Sequence, residues 1–337
     1  MRKVRKTEWV PVLTHTYAIP MRTRFRGITR REGMVFRGAA GWAEWSPFRE
    51  YSGDELVPWL LAAQEVAELG WPAAVRDVVP VNATIPAVSP AQAHVLTARS
   101  GCRTAKVKVG EPGQGLADDL DRVEAVRDAL GPAGLIRIDA NGSWDLDRAV
   151  ASLRQLARFD LEYAEQPCRT TEELAELRLR LARAGLNVLV AADESVRRAD
   201  DPLRVAELEA ADIAVLKVQP LGGVRACLEI AERIGLPVVV SSALETSVGI
   251  RAGLALAAAL PELPYACGLN TVPLLTDDLV ASPLVAVDGF LSLSDTDVAP
   301  AALERCAADE FTTQLWQGRL RETSERLAAS ARAAGRG

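Results

Sequence analysis

From Val78 onward the chain alternates between short apolar runs and longer amphipathic stretches. The runs are VVPVNATIPAV, AKVKVG, LIRIDA, LEYAEQP, NVLVAADES, IAVLKVQP, LPVVVSSALE and a weaker YACGLN. Most are brief, rich in β-branched residues and bounded by Gly, Pro, Asn or Asp, as buried strands are. Between them, apolar positions recur at helical spacing over Asp118–Leu130, Asp145–Phe159, Glu172–Ala184, Gly223–Ile234 and Val248–Leu260. Ser89 and Pro90 offer an N-cap and a first-turn residue for one more helix. Gly131-Pro132 and Gly185 stop two of the others. Strands alternating with helices predict a parallel sheet with right-handed crossovers. About eight such units favour a closed barrel over an open sheet. No GxGxxG or phosphate-loop motif argues for the open alternative.

The segment before about Arg76 reads differently. Val10–Tyr17 and Arg24–Phe36 are Arg-rich, alternating and strand-like, GWAEWSP follows, and Asp54–Leu69 is helical. This predicts a small α+β domain. After about Leu291 come a short polar strand and an Ala- and Arg-rich helix, with Ala328–Gly337 frayed at its end. The 337 residues therefore divide into 1–77, 78–290 and 291–337.

Composition narrows the function. A net charge of -6 with no compensating basic domain argues against nucleic acid as a partner. No run is long and apolar enough for a membrane span, since Ile250–Leu260 is short and contains an arginine. The basic start, MRKVRK, has no apolar signal core after it. Five cysteines without a CxxC pair read as small core or loop residues in a reducing cytoplasm. Only two histidines are present, which leaves no His-rich zinc site. A cytoplasmic enzyme acting on a small molecule, monomeric or homo-oligomeric, is the expectation.

The chemistry lies at the strand ends. Asp139 in IDANGSW, Glu165 in YAEQP, Asp193 in VAADES and Lys217 in VLKVQP follow one another at 26, 28 and 24 residues, each the length of one strand–helix unit. An acid at a strand end is ordinarily a helix cap or a loop residue. Three at matched positions on consecutive strands are harder to assign to caps, because a barrel gathers its strand ends at one mouth. Oxygen ligands without His or Cys suit Mg²⁺, with Mn²⁺ as a substitute. Glu194 is expected to point away from Asp193, and Asn141 to support the site from a loop. Lys106 and Lys108 are two residues apart, so on a strand they share a face. Side by side they repel, which lowers the pKa of at least one and favours a neutral base. An isolated KxK is ordinarily a solvated surface pair; the neighbouring acids tip this one towards function. Lys217 is a lone charge in an apolar strand.

KVKVG, DANGSW, EQP, ADES, LKVQPLGG and SSALETSVG occur in the order of the enolase superfamily, muconate-lactonizing subgroup, and GWAEWSP resembles its GWGE-type turn. The resemblance spans roughly Tyr17 to Val287. It implies a modified TIM barrel, (β/α)7β, capped by an α+β domain built from both termini. It also implies Asp139, Glu165 and Asp193 as Mg²⁺ ligands, and Lys108 and Lys217 as acid/base residues on opposite substrate faces. Lys106 would then stabilise the anion and tune Lys108. The shared step is loss of a proton alpha to a substrate carboxylate, with Mg²⁺ and an ammonium group stabilising the charge. The compact N-terminal region and SSALETSVG are most similar to members that dehydrate a succinyl-bearing cyclohexadienecarboxylate in menaquinone synthesis, which are carbon–oxygen lyases. N-succinylamino acid racemisation is the nearest alternative and aromatic cycloisomerisation the next. Ser241 and Ser242 are expected to take the succinyl end. Pro20–Arg31 is expected to be a cap loop whose Arg22 and Arg24 attract the dianion, although runs of charge are as often simply solvated.

Overall fold

The computed structural model describes residues 13–198 and 201–334. Three antiparallel strands, β1 (Leu13–Phe25), β2 (Ile28–Arg37) and β3 (Trp42–Trp45), form one sheet in the order β1-β2-β3. Helix α1 (Val57–Leu69) packs on it, entered by a 3-10 turn at Gly53–Leu56. The barrel then runs through β4 (Val78–Ile85), α2 (Pro90–Arg99), β5 (Thr104–Lys108), α3 (Leu116–Leu130), β6 (Leu135–Asp139), α4 (Leu146–Leu156) and β7 (Leu161–Glu165). It continues through α5 (Thr171–Arg183), β8 (Val190–Ala192), the single turns α6 (Glu194–Arg197) and α7 (Arg204–Glu207), and β9 (Ile213–Leu216). The last units are α8 (Val224–Ile234), β10 (Val238–Val240), α9 (Ser247–Ala259) and β11 (Cys267–Asn270). Short β12 (Phe290–Ser292), α10 (Pro300–Arg305) and α11 (Glu310–Ala334) follow.

The parallel strands lie in the order β10-β9-β8-β7-β6-β5-β4-β11. A parallel bridge between Ser241 and Gly268 joins the two ends into a ring. The chain's own stops and caps define the helices. Ser89 Oγ accepts from the Gln92 amide, Asp145 Oδ1 from the Arg148 amide, and Thr170 and Glu173 form a reciprocal capping box. Along the barrel strands, one set of alternating residues packs outward against the helices: Ala105, Val107, Ile136, Ile138, Ala164, Val190, Ala192, Ala214 and Leu216 belong to the main core. The opposite set, Tyr163, Ala191, Ile213, Val215 and Val239, forms a separate small cluster inside the ring. That alternation is what aims the strand-end side chains into the mouth.

The C-terminal residues return to the cap. The Ala18 amide donates to the Cys306 carbonyl and the Ala308 amide to that of Thr16. The Trp316 ring meets Trp45 edge-on at 5.4 Å. Arg319 on α11 donates to the carbonyls of Pro47, Phe48 and Tyr51.

Two expectations need correction. Pro20–Arg31 is not a loop: β1 runs on to Phe25, reverses at Arg26-Gly27 and returns as β2. The β1–β2 register shifts between Pro20 and Phe25, and pairing resumes at Phe25 and Ile28 beside the turn. The terminal helix continues to Ala334 instead of fraying from Ala328; residues 335–337 lie outside the described ones, as do the MRKVRK start and the first residues of the Val10–Tyr17 run. Trp45 packs within the cap against Trp316, while Phe48 turns towards the barrel mouth. Among the described residues no helix is long and apolar enough to cross a membrane, and all five cysteines are free and buried.

Candidate active site

Parallel pairing sets the site's geometry. Lys108 lies opposite Asp139 in the β5–β6 register, and Asp139 opposite Glu165 in β6–β7. Asp193 and Lys217 sit one residue beyond the ends of β8 and β9. In an eight-strand ring, β5 and β9 are four strands apart, so Lys108 and Lys217 face each other across the mouth with Glu165 midway.

The acids and the ammonium groups are joined in buried pairs. Lys106 Nζ donates to both Glu165 oxygens, at 2.8 and 2.9 Å, and lies 3.5 Å from Asp139 Oδ2. Lys108 Nζ donates to Asp139 Oδ2 and, at 2.6 Å, to Asn141 Oδ1. Lys217 Nζ donates to Asp193 Oδ2 at 2.7 Å, and Arg197 Nε to Asp193 Oδ1 at 2.9 Å. Burial pushes the Asp139 carboxyl up, but Lys108 and Lys106 outweigh it and hold that acid well below the usual range. Arg197 and Lys217 do the same for Asp193. Glu165 is pushed up to about 7, by burial first and then by the charge of Asp139, against the pull of Lys106. Burial lowers the Lys108 amine and Lys106 adds to the fall, with Asp139 opposing. Lys106 moves the other way, because Glu165 and Asp139 overcome its desolvation.

Two backbones are strained to build this arrangement. Asn141 (φ 46°) and Gln166 (φ 38°) are both left-handed non-glycine residues next to acids of the site. The Asn141 amide donates to Asp139 Oδ1 at 3.0 Å. Gln166 Oε1 accepts from the amides of Asp193 and Ser195 at 2.9 and 3.1 Å, strapping the end of β7 to the end of β8.

Asp139, Glu165 and Asp193 could hold a hard divalent cation, since all are oxygen donors from neighbouring strand ends. Asp139 feels the charge of Asp193, and Glu165 that of both Asp139 and Asp193. Among the described residues no three such side chains converge as a ready-made metal cage. Their oxygens are turned onto the Lys106, Lys108 and Lys217 ammonium groups. Cations therefore already sit where the donor set calls for one.

Lys106, Lys108, Asp139, Asn141, Lys217, Ser241 and Ser242 line one cavity. Arg22 and Arg24 do not: both are exposed on β1, because strand alternation turns them away from the face that buries Met21 and Phe25. The cavity arginine is Arg26, whose left-handed backbone (φ 51°) puts it at the turn. Glu194 does not face away either. It opens α6, where strand alternation no longer applies, and accepts from Asn141 Nδ2 at 3.2 Å and Arg197 at 2.5 Å. Sequence reasoning missed Phe25 from the cap and Thr84, Leu244 and Thr271 from the barrel. The Lys108 ammonium lies 5.2 Å from the centre of the Phe25 ring. The run of alternation in β1 is the signal that could have found Phe25.

An eight-stranded parallel barrel with an α+β cap and this ring of acids and lysines is an enolase-type architecture. Residues 89–297 match the enolase C-terminal domain-like model and residues 16–67 the enolase N-terminal domain-like model. The o-succinylbenzoate synthase of Thermobifida fusca is 62% identical over 304 residues, covering 90% of this chain and 93% of the relative. That of Mycolicibacterium smegmatis is 54% identical over 308 residues, covering 91% and 93%. The muconate lactonizing enzyme of Pseudomonas fluorescens shares the fold at a TM-score of 0.74 and 22% identity, over 88% of this chain and 98% of its own. The chain belongs to the o-succinylbenzoate synthase family of the enolase superfamily.

Proposed function

We propose that this chain dehydrates 2-succinyl-6-hydroxy-2,4-cyclohexadiene-1-carboxylate to 2-succinylbenzoate, the o-succinylbenzoate synthase reaction of menaquinone synthesis. The observation that carries the reading is the 62% identity to the Thermobifida fusca synthase over nine-tenths of the chain. In this reading Asp139, Glu165 and Asp193 hold Mg²⁺, or Mn²⁺ in its place. The bound ion supplies Lewis-acid stabilisation of negative charge developing on the substrate carboxylate.

Lys108 is the base. Its neutral Nζ takes the ring proton alpha to the carboxylate, and the electron pair left behind spreads onto that carboxylate. Lys108 then gives the proton to the hydroxyl on the same ring face. The C–O bond breaks, water leaves, and the ring gains its third double bond. Burial and the neighbouring Lys106 lower the Lys108 amine against the opposing charge of Asp139, which eases loss of its proton. Lys106 stays charged and stabilises the anion. Lys217 lies against the opposite ring face as a cation–π partner. Ser241 and Ser242 donate to the succinyl arm, and Arg26 complements the substrate's negative charge.

Residues 1–77 and 291–337 form the cap in this reading, and 78–290 the catalytic barrel. Five free, buried cysteines fit a reducing cytoplasm. A second reading, N-succinylamino acid racemisation, is favoured by the two lysines on opposite sides of the mouth, since it requires two bases. Offering both substrates decides. Loss of cyclohexadiene absorbance should outpace deuterium uptake by N-succinyl amino acids; the reverse order would refute the dehydratase reading.

A further inference from the structure

The segment from Ser241 to Thr246 leaves β10, lines the cavity with Ser241, Ser242, Ala243 and Leu244, and enters α9. Its later part is fixed by the cap. Arg31, buried on β2, donates from Nε to the Leu244 carbonyl at 2.9 Å and from its guanidinium to the Ala243 carbonyl at 3.1 Å. Leu244 is held there in a left-handed conformation, φ 62°. Glu44, buried on β3, takes the next turn. Its Oε2 accepts from the Thr246 hydroxyl at 2.5 Å and from the amides of Thr246 and Gly249, both at 3.1 Å. Its Oε1 accepts from Tyr17 at 2.6 Å and Ser46 at 2.7 Å. A carboxylate from one domain thus sits on the N-terminus of a 13-residue helix of the other, where free amides and the helix dipole favour negative charge. Gly249 leaves the room for it: a Cβ there would come within 3.0 Å of Glu44 Oε2. Ser46 carries the link onward, its amide donating to Gln219 Oε1 at 3.0 Å, two residues beyond Lys217.

We propose that Glu44 and Arg31 are positioning residues for substrate recognition. They touch no substrate, but they set the segment Ser241–Leu244 and so the fit of the arm that binds there. The reasoning is local. The Leu244 conformation is unfavourable for a side-chain-bearing residue and persists only where its surroundings impose it. Both backbone groups that define the turn, the carbonyls before it and the amides after it, are held by the cap. Releasing the carboxylate should therefore let the segment relax without moving the acids or lysines on β5 to β9. The functional half of this inference rests on the proposed reading of the cavity as a dehydratase site.

The test uses the full-length protein with Glu44→Gln, which keeps shape but loses one acceptor oxygen, beside Thr246→Val and its conservative counterpart Thr246→Ser. Amide hydrogen exchange over 241–249 should rise at least tenfold in Glu44→Gln and Thr246→Val, remain near wild type in Thr246→Ser, and be unchanged over 104–108. With the cyclohexadiene substrate, KM should rise about tenfold in the first two variants while kcat stays within about threefold. Unchanged exchange over 241–249, or a fall in melting temperature with KM unaltered, overturns the proposal. A wild-type protein with no dehydratase activity defeats the functional reading instead, and the exchange data still decide whether the cap sets the segment.

Discussion

Replacing Lys108 with alanine tests the centre of the mechanism. In the proposed mechanism the substitution deletes a group used twice, first as base and then as acid. Acid–base catalysis by one side chain contributes about 10²–10⁴ in rate; serving both half-steps puts the loss near the upper end, about 5 kcal/mol of barrier. The cost to the fold should be far smaller in effect. Breaking a buried ion pair costs about 3–5 kcal/mol when it orphans the partner. Asp139 is not orphaned, because the Asn141 amide remains at 3.0 Å and Lys106 Nζ at 3.5 Å. A stability loss at or below about 3 kcal/mol follows. For a chain of this size that is a shift of only several degrees in melting temperature. Lys108 contributes no oxygen to the cation, so Mg²⁺ affinity should stay within a few-fold of wild type. The assays are loss of diene absorbance at saturating Mg²⁺, thermal melting by circular dichroism, and calorimetric titration of Mg²⁺. Turnover within tenfold of wild type would remove Lys108 as the base. Lost metal affinity with a folded protein would recast it as a structural partner of Asp139.

Three further outcomes follow from the same geometry. Asp193→Asn removes one of the three proposed anionic donors and should weaken Mg²⁺ binding at least tenfold by calorimetry; unaltered metal dependence would place the cation elsewhere. Arg22→Ala with Arg24→Ala should leave KM within about twofold, whereas Arg26→Ala should raise it severalfold, and the opposite ranking in steady-state kinetics would show that the exposed arginines steer the substrate after all. Glu245 is pushed up to about 7 by burial and then by Glu44, against Arg31 and the Ala243 amide. The folded state therefore holds its proton where the unfolded chain has released it. Stability from this group is present below about pH 4.5 and declines as pH rises towards about 7, by up to about 3 kcal/mol. Glu245→Gln keeps the acceptor for Ala243 and should flatten that decline in melts between pH 5 and 8; an identical slope would show that Glu245 does not titrate in this range.

Much of the site was legible because its parts obey strand rules. Lys106 and Lys108 fall on one face through period-two alternation, and Asp139, Glu165, Asp193 and Lys217 recur at the interval of one barrel unit. The same rules misled at their edges. Alternation alone puts Glu194 on the far side, but the chain has already turned into α6 at that residue. Arg22 and Arg24 stood out by charge, while the geometry of a hairpin, visible only once β1 pairs with β2, brings Arg26 to the cavity instead.

The chain's own pattern determined which segments are strands, how many close the ring, and which polar side chains must share its mouth, because helix and strand periodicities and unit length are local properties. Tertiary structure alone decided which cap groups meet the barrel. Phe25 over Lys108, Arg31 on the carbonyls of 243 and 244, and Glu44 at the start of α9 join residues up to 213 positions apart. No spacing rule relates positions on two different layers; their contacts depend on how those layers dock, which is settled by shape and by the need to satisfy buried charge.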